Sequence, residues 1–207
     1  MTARVIEVDP ERFDRWMAGF ADRHGPYVAA EETTPGGVVV SARAADGSTV
    51  VATPFGHDPL GVVLVRRGGY AVGLASAGAW LGSKVGTRHV QSRTAAGGWS
   101  QQRFARRRGK QADELVDAVV GHARRVLLGD DESPAASAAG VPRALVVGGD
   151  RGLVREVLEA SALRAVRDLP VRELYDLPDP RRDVLETALR RGRAVRIQLT
   201  EITEPIS

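Results

Sequence analysis

The 207 residues contain no cysteine. Disulfides, thiolate metal sites and a cysteine nucleophile are therefore excluded. Histidine is nearly as scarce: His24, His57, His89 and His122 are the whole supply, and no two stand at a metal-ligand spacing. Long apolar runs are missing as well. A membrane helix needs ~18 consecutive apolar residues, and the longest candidate, Ala71 to Leu81, is too short and holds small polar residues. The first ten residues carry Arg4, Glu7 and Asp9 without an apolar stretch, so they do not read as a secretory signal. These absences lead to the expectation of a soluble cytoplasmic protein with no metal, no cofactor and no membrane contact.

Apolar residues make up 43% of the chain, enough to build a core for one domain or for one domain with a small extension. The net charge is only +3, so it says little about partners, but its distribution says more. From Lys84 to Gln111 stand Lys84, Arg88, Arg93, Arg103, Arg106, Arg107, Arg108 and Lys110, with no Asp or Glu among them. Those eight cations leave the remainder of the chain at −5. A local field of that size attracts polyphosphate and weakens steeply with salt.

Asp9-Pro10-Glu11-Arg12 predicts a helix start, and Phe13, Trp16, Met17 and Phe20 follow at helical spacing up to Gly25-Pro26. Val38 to Val40 and Thr49 to Ala52 read as strands joined through the Asp46-Gly47 hairpin signal. Gly61 to Val65, Tyr70 to Ala75 and Ala79 to Val85 read as an antiparallel meander. Thr87 to Ser100 has no apolar period and reads as a loop. From Gln101 the pattern turns helical, with Phe104, Ala112, Leu115, Val116, Val119, Ala123, Val126 and Leu127 on one face. Asp130 to Gly140 reads as a flexible loop. The last third alternates: a strand over Ala144 to Val147, a helix over Arg151 to Val166 and a short strand over Val171 to Leu174. A helix over Pro180 to Arg191, capped by Asp179 and ended by Gly192, then leads to a final strand over Ala194 to Leu199. This order predicts an α/β (α+β) chain, a mixed sheet with flanking helices, for which the ribonuclease-H-like arrangement is one solution.

Conventional catalytic patterns are absent. No G-x-S-x-G elbow or Ser/His/Asp order is present. Gly148-Gly149-Asp150-Arg151-Gly152 does not match a dinucleotide fingerprint and reads as a tight strand-to-helix turn. Asp176, Asp179 and Asp183 are better explained by capping than by metal binding. What remains is Ala95 to Phe104. Gly97 and Gly98 let the backbone approach a ligand closely. The helix that opens after them offers free amide groups to an anion, and Ser100 stands where a cap falls. Arginines one and two turns later can clamp phosphates. Gln101 and Gln102 both donate and accept without titrating. Such a tip can place a water beside an ester and stabilise an oxyanion. The same residues also fit a basic loop that binds RNA nonspecifically.

The run Ala96-Gly97-Gly98-Trp99-Ser100-Gln101-Gln102-Arg103-Phe104-Ala105-Arg106 resembles the signature loop and helix of archaeal and eukaryotic class-one peptide release factors. There, Gly-Gly-Gln-Ser precedes Arg-Phe-x-Arg. The likeness runs from about Pro59 to Ile202 and leaves Asp9 to Phe55 outside it. In this chain Trp99 replaces the family's glutamine, and a glutamine returns two places later. That shift is similar to the Vms-type ribosome quality-control branch, whose bacterial group is actinobacterial.

The resemblance implies a ribonuclease-H-like release-factor catalytic domain over 56–207, and the residue pattern before it leaves an N-terminal helix and β-hairpin extension over 1–55. It implies codon-independent hydrolysis of peptidyl-tRNA on stalled ribosomes or large subunits, by a monomer acting in the peptidyl-transferase centre. On this reading Gly97 and Gly98 shape the tip and Gln101 positions the water, with Gln102 as its rival. Arg88, Arg93, Arg103, Arg106, Arg107, Arg108 and Lys110 hold RNA. Trp99 either stacks on a base or plugs the loop against the sheet. The alternative is a noncatalytic ribosome- or tRNA-binding module.

Overall fold

The computed structural model describes residues 2–34, 37–87, 101–129 and 140–202, with positions 101–111 given by their backbone alone. The chain forms two compact units, Met1–Gly56 with Arg190–Ser207, and His57–Leu189.

In the first unit, strand β1 (Thr2–Val8) leads through a 3-10 turn at Pro10–Arg12 into helix α1 (Phe13–His24). Strands β2 (Tyr27–Thr34), β3 (Gly37–Ala44) and β4 (Thr49–Thr53) follow, and β10 (Val195–Glu201) joins them from the far end of the sequence. The strand order is β1-β10-β4-β3-β2, antiparallel throughout. Side chains alternate across a strand, so Val195, Ile197 and Leu199 of β10, Val50 and Ala52 of β4, and Ala42 and Ala44 of β3 share one core with Met17 and Phe20 of α1. Pro10 takes the first position of the turn as expected, but the Asp9 side chain makes no capping bond there. The helix ends at Gly25, whose φ of +83° suits glycine. The Asp46-Gly47 turn is also as expected, with Gly47 at φ +86°.

Two strands of this unit were not foreseen. The side chains of β2 are exposed almost throughout, so it shows no apolar period. Only Val8 of β1 is buried.

The second unit has the mixed sheet. Its strands are β5 (Leu60–Arg66), β6 (Gly69–Ser76), β7 (Ala79–Thr87), β8 (Ala144–Gly149) and β9 (Val171–Glu173), in the order β7-β6-β5-β8-β9. The β5-β6-β7 meander is antiparallel, while β8 and β9 run parallel to β5. Its helices are α2 (Gln101–Leu128), α3 (Arg151–Glu159) and the first part of α4 (Arg182–Arg193), within which the two units divide. One face of the sheet, with Val63, Val65, Val72, Leu74, Leu145 and Val147, packs against α2 and α3 in a continuous core. On the other face the Trp80 indole lies over Gly73, where an added Cβ would meet the ring at 2.2 Å. Trp80 Nε1 donates to Glu186 of α4 at 2.8 Å.

Three details depart from expectation. Helix α3 stops at Glu159 rather than Val166, because Ala160 turns out of the helix with ψ 136°; Leu163 and Val166 stay buried in the core regardless. Helix α4 begins at Arg182, two residues after Pro180, and runs through Gly192 to Arg193. Strand β10 leaves the mixed sheet and joins the antiparallel one.

Candidate functional site

The mixed sheet presents its edge strand β7 just before the basic segment and packs its longest helix just after it. On β7, Gly86 stands opposite Tyr70 of β6, and a Cβ at Gly86 would meet the Tyr70 ring at 2.4 Å. The aromatic ring thus lies flat on the glycine and keeps the end of the edge strand tied to the sheet. Tyr70 also stacks on His122 of α2, with centroids 5.2 Å apart and planes 17° from parallel. Arg125 Nη2 donates to His122 Nδ1 at 2.6 Å. Burial, helped by the Arg125 and Lys84 cations, holds the His122 pKa below its usual value, so the imidazole at the foot of the site is neutral at physiological pH.

The seat of α2 follows from its sequence. Leu115, Val116, Val119, Ala123, Val126 and Leu127 are buried, and their spacing makes one stripe on a 3.6-residue period. Each buried valine or leucine there contributes ~1.5–3 kcal/mol, so the C-terminal half of the helix is firmly held. Gln101 opens the helix and lies 14 positions before Leu115, which is roughly 21 Å along the axis at ~1.5 Å per residue.

At roughly 100° per residue, helical phase puts positions 103, 106, 107 and 110 on the side opposite the buried stripe. Positions 101 and 108 fall in phase with the stripe, and position 102 falls about one residue's rotation away from it.

Of the expected site residues, Arg88, Arg93, Gly97, Gly98 and Trp99 lie outside the described residues. Gln101, Gln102, Arg103, Arg106, Arg107, Arg108 and Lys110 are placed on the backbone of α2, and their side chains are outside the description. Lys84 is exposed on β7.

The other glycine-rich turn is filled by its own side chain. Asp150 caps α3 by accepting from Gly152 N at 2.9 Å and Leu153 N at 3.2 Å, so those amides are taken. Among the described residues, no three of His, Asp and Glu converge as a metal site, and Asp179 instead pairs with Arg66 at 3.6 Å. No helix among them is long and apolar enough to cross a membrane.

Sequence reading passed over Arg12, Arg15 and Arg23, whose exposed side chains line one groove. The signal was present: with Trp16 and Gly19 they share one face of a helical wheel, but the apolar face of the same helix drew the reading.

A mixed five-stranded sheet, with a three-strand meander entering a basic segment and a long helix leaving it, makes the second unit an α/β domain. The family follows from comparison: the model of the Actinobacteria/chloroflexi VLRF1 release factor family matches residues 58–198, and the chain belongs to that family. No match to a curated protein was found.

Proposed function

We propose that the protein is a codon-independent release factor that hydrolyses the ester of peptidyl-tRNA on stalled ribosomes or large subunits. The observation that carries this reading is the family match over 58–198, inside which Gly97-Gly98-Trp99-Ser100-Gln101 immediately precedes the rest of a basic helix. Its partners are the peptidyl-transferase centre of the large subunit and peptidyl-tRNA, and it acts as a cytoplasmic monomer without a cofactor. Arg88, Arg93, Arg103, Arg106, Arg107, Arg108 and Lys110 bind RNA phosphates, and Trp99 stacks on a base or on the sheet. Gly97 and Gly98 allow the tip to enter a narrow site.

Gln101 then orients the attacking water with its amide oxygen and meets the developing oxyanion with its N–H. Neither role needs a titrating base. Helical phase favours Gln101 over Gln102, because position 101 lies away from positions 103, 106, 107 and 110, and Arg108 is the one proposed RNA-binding cation of the helix on its side. That leaves its amide free for the ester while those cations hold the backbone.

The test is release of nascent chain from stalled large subunits carrying peptidyl-tRNA. Gln101→Ala is expected to slow release by about 10²-fold, the usual cost of losing one oxyanion donor, while Gln102→Ala costs less than tenfold. Equal rates for Gln101→Ala and wild type would move the role to Gln102. An inactive wild type that still binds subunits would establish the second reading, a noncatalytic ribosome- or tRNA-binding module.

A further inference from the structure

The first unit has a groove of about 710 Å3 along α1, lined by Arg12, Arg15, Trp16, Gly19 and Arg23 from that end of the chain and by Arg190 from the last turn of α4. The four arginines are exposed, and among the described residues their guanidinium groups have no side-chain partner. Their neighbours behave differently. Arg191 donates to Glu7 at 2.8 and 3.2 Å, Arg196 approaches the same carboxylate at 3.6 Å, and Arg193 is bonded to Glu11. Backbone and Arg193 hydrogen bonds hold the Glu11 pKa below its usual value, so that carboxylate is committed to its pair. Glu7 lines the groove too, but its charge is spent on Arg191 and Arg196. Among the described lining residues this leaves four free cations against the single unpaired carboxylate of Asp9.

The shape of the groove follows from sequence as well. Gly19 sits between Arg15 and Arg23 on the same face and adds no side chain to the floor, where the Arg23 guanidinium lies 3.5 Å from the position a Cβ would take. Trp16 forms a wall, its ring stacked on the buried Phe20 with planes 7° apart.

The geometry points to a second RNA contact, in which this groove holds a phosphodiester backbone. Planar guanidinium groups clamp phosphate oxygens in pairs. An indole among them offers the stacking surface that single-stranded nucleic acid uses. An acidic peptide would satisfy the charge but has no use for an aromatic wall between cations. The assignment rests on the first unit alone and needs nothing from Gln101.

The experiment measures binding by the full chain to a fluorescein-labelled single-stranded oligouridylate, between about 50 and 200 mM salt. Arg12→Gln/Arg15→Gln and Arg15→Gln/Arg23→Gln are surface changes, and circular dichroism checks that each variant folds. Each double variant is expected to bind at least about tenfold more weakly, with a salt slope shallower by about 1.4, at ~0.7 per lost phosphate contact. The matching Arg→Lys variants keep most of the slope.

Photocrosslinking with 4-thiouridine in the same oligonucleotide is expected to mark the peptide that spans residues 12–23. An unchanged slope in both double variants, or crosslinks confined to 84–111, would overturn the assignment. So would displacement of the groove-dependent binding by polyglutamate but not by polyuridylate, which would give the groove to an acidic protein. Because binding is read rather than hydrolysis, failure of the release assay leaves this measurement standing.

Discussion

At the scale of single residues, His122 makes the sharpest claim. It is the only histidine in the stripe region of α2, and it sits between the Tyr70 ring and a donating Arg125. Its folded pKa lies below 6.5, so the unfolded chain takes up the proton more readily. Stability is therefore complete above the unfolded pKa of about 6.5 and is lost as pH falls through that value towards the folded one. The melting temperature is expected to fall between about pH 7 and pH 5.5, and His122→Gln is expected to flatten that fall. An identical pH profile in the variant would show that another group sets it. Gly149 is a second case. Its φ is +102°, and a Cβ would meet the Val65 carbonyl oxygen at 2.1 Å. Gly149→Ala should cost at least 1–3 kcal/mol from the backbone conformation alone, measured by urea unfolding; a cost below 0.5 kcal/mol would mean that the turn relaxes. The sequence showed the need for glycine at this turn, but not that the amides beyond it were already committed to Asp150.

At the scale of elements, legibility followed burial pattern. The stripe of α2 could be read residue by residue because one face is apolar and the other charged. Strands β5 and β6 could be read as continuous apolar runs because both their faces are buried. Strand β2 could not, since almost nothing on it is buried. The end of α3 was missed for a different reason. Leu163 and Val166 keep helical spacing and remain in the core, so the apolar period continues after the backbone has left the helix. The seat of α2 gives the prediction at this scale. Leu127 is fully buried, and its Cδ2 lies 3.0 Å from where a Gly61 Cβ would be. Leu127→Ala removes a large side chain from a site that glycine has made close-packed. It should cost about 2–5 kcal/mol in thermal or denaturant unfolding, whereas Asp150→Ala, which removes only a cap, should cost about 1 kcal/mol. Equal costs would mean that the α2 contact contributes far less than its burial implies.

At the scale of the whole molecule, the sequence led to a single boundary, after residue 55, with everything beyond it in one domain. The compact units divide near residue 56 and again at residue 190. Local pattern identifies a strand but not its neighbours, so 195–201 reads equally well as the last strand of the mixed sheet or as a member of another. Pairing decides it: β10 lies between β1 and β4, matching Thr2–Val8 on one side and Thr49–Thr53 on the other. It also places Val195, Ile197 and Leu199 in the core with Met17 and Phe20.

This makes a prediction about fragments. The piece 57–189 contains all five strands of the mixed sheet and the helices that pack on it, so its β5, β6 and β8 amides should stay protected in hydrogen exchange. The piece 56–207 adds β10 without β1 or β4. Its residues 195–201 would then expose a row of unpaired backbone groups beside three apolar side chains, which invites association. The longer fragment is therefore expected to exchange those amides freely and to aggregate more than the shorter one. In the full chain, removing the residues after Arg193 should lower protection in β1 and β4 together, because both lose their ladder to β10 at once, β4 keeping only its pairing with β3. If β1 and β4 stayed protected after that truncation, the first unit would not depend on its distant last strand, and a boundary after residue 55 would be the correct division of the chain.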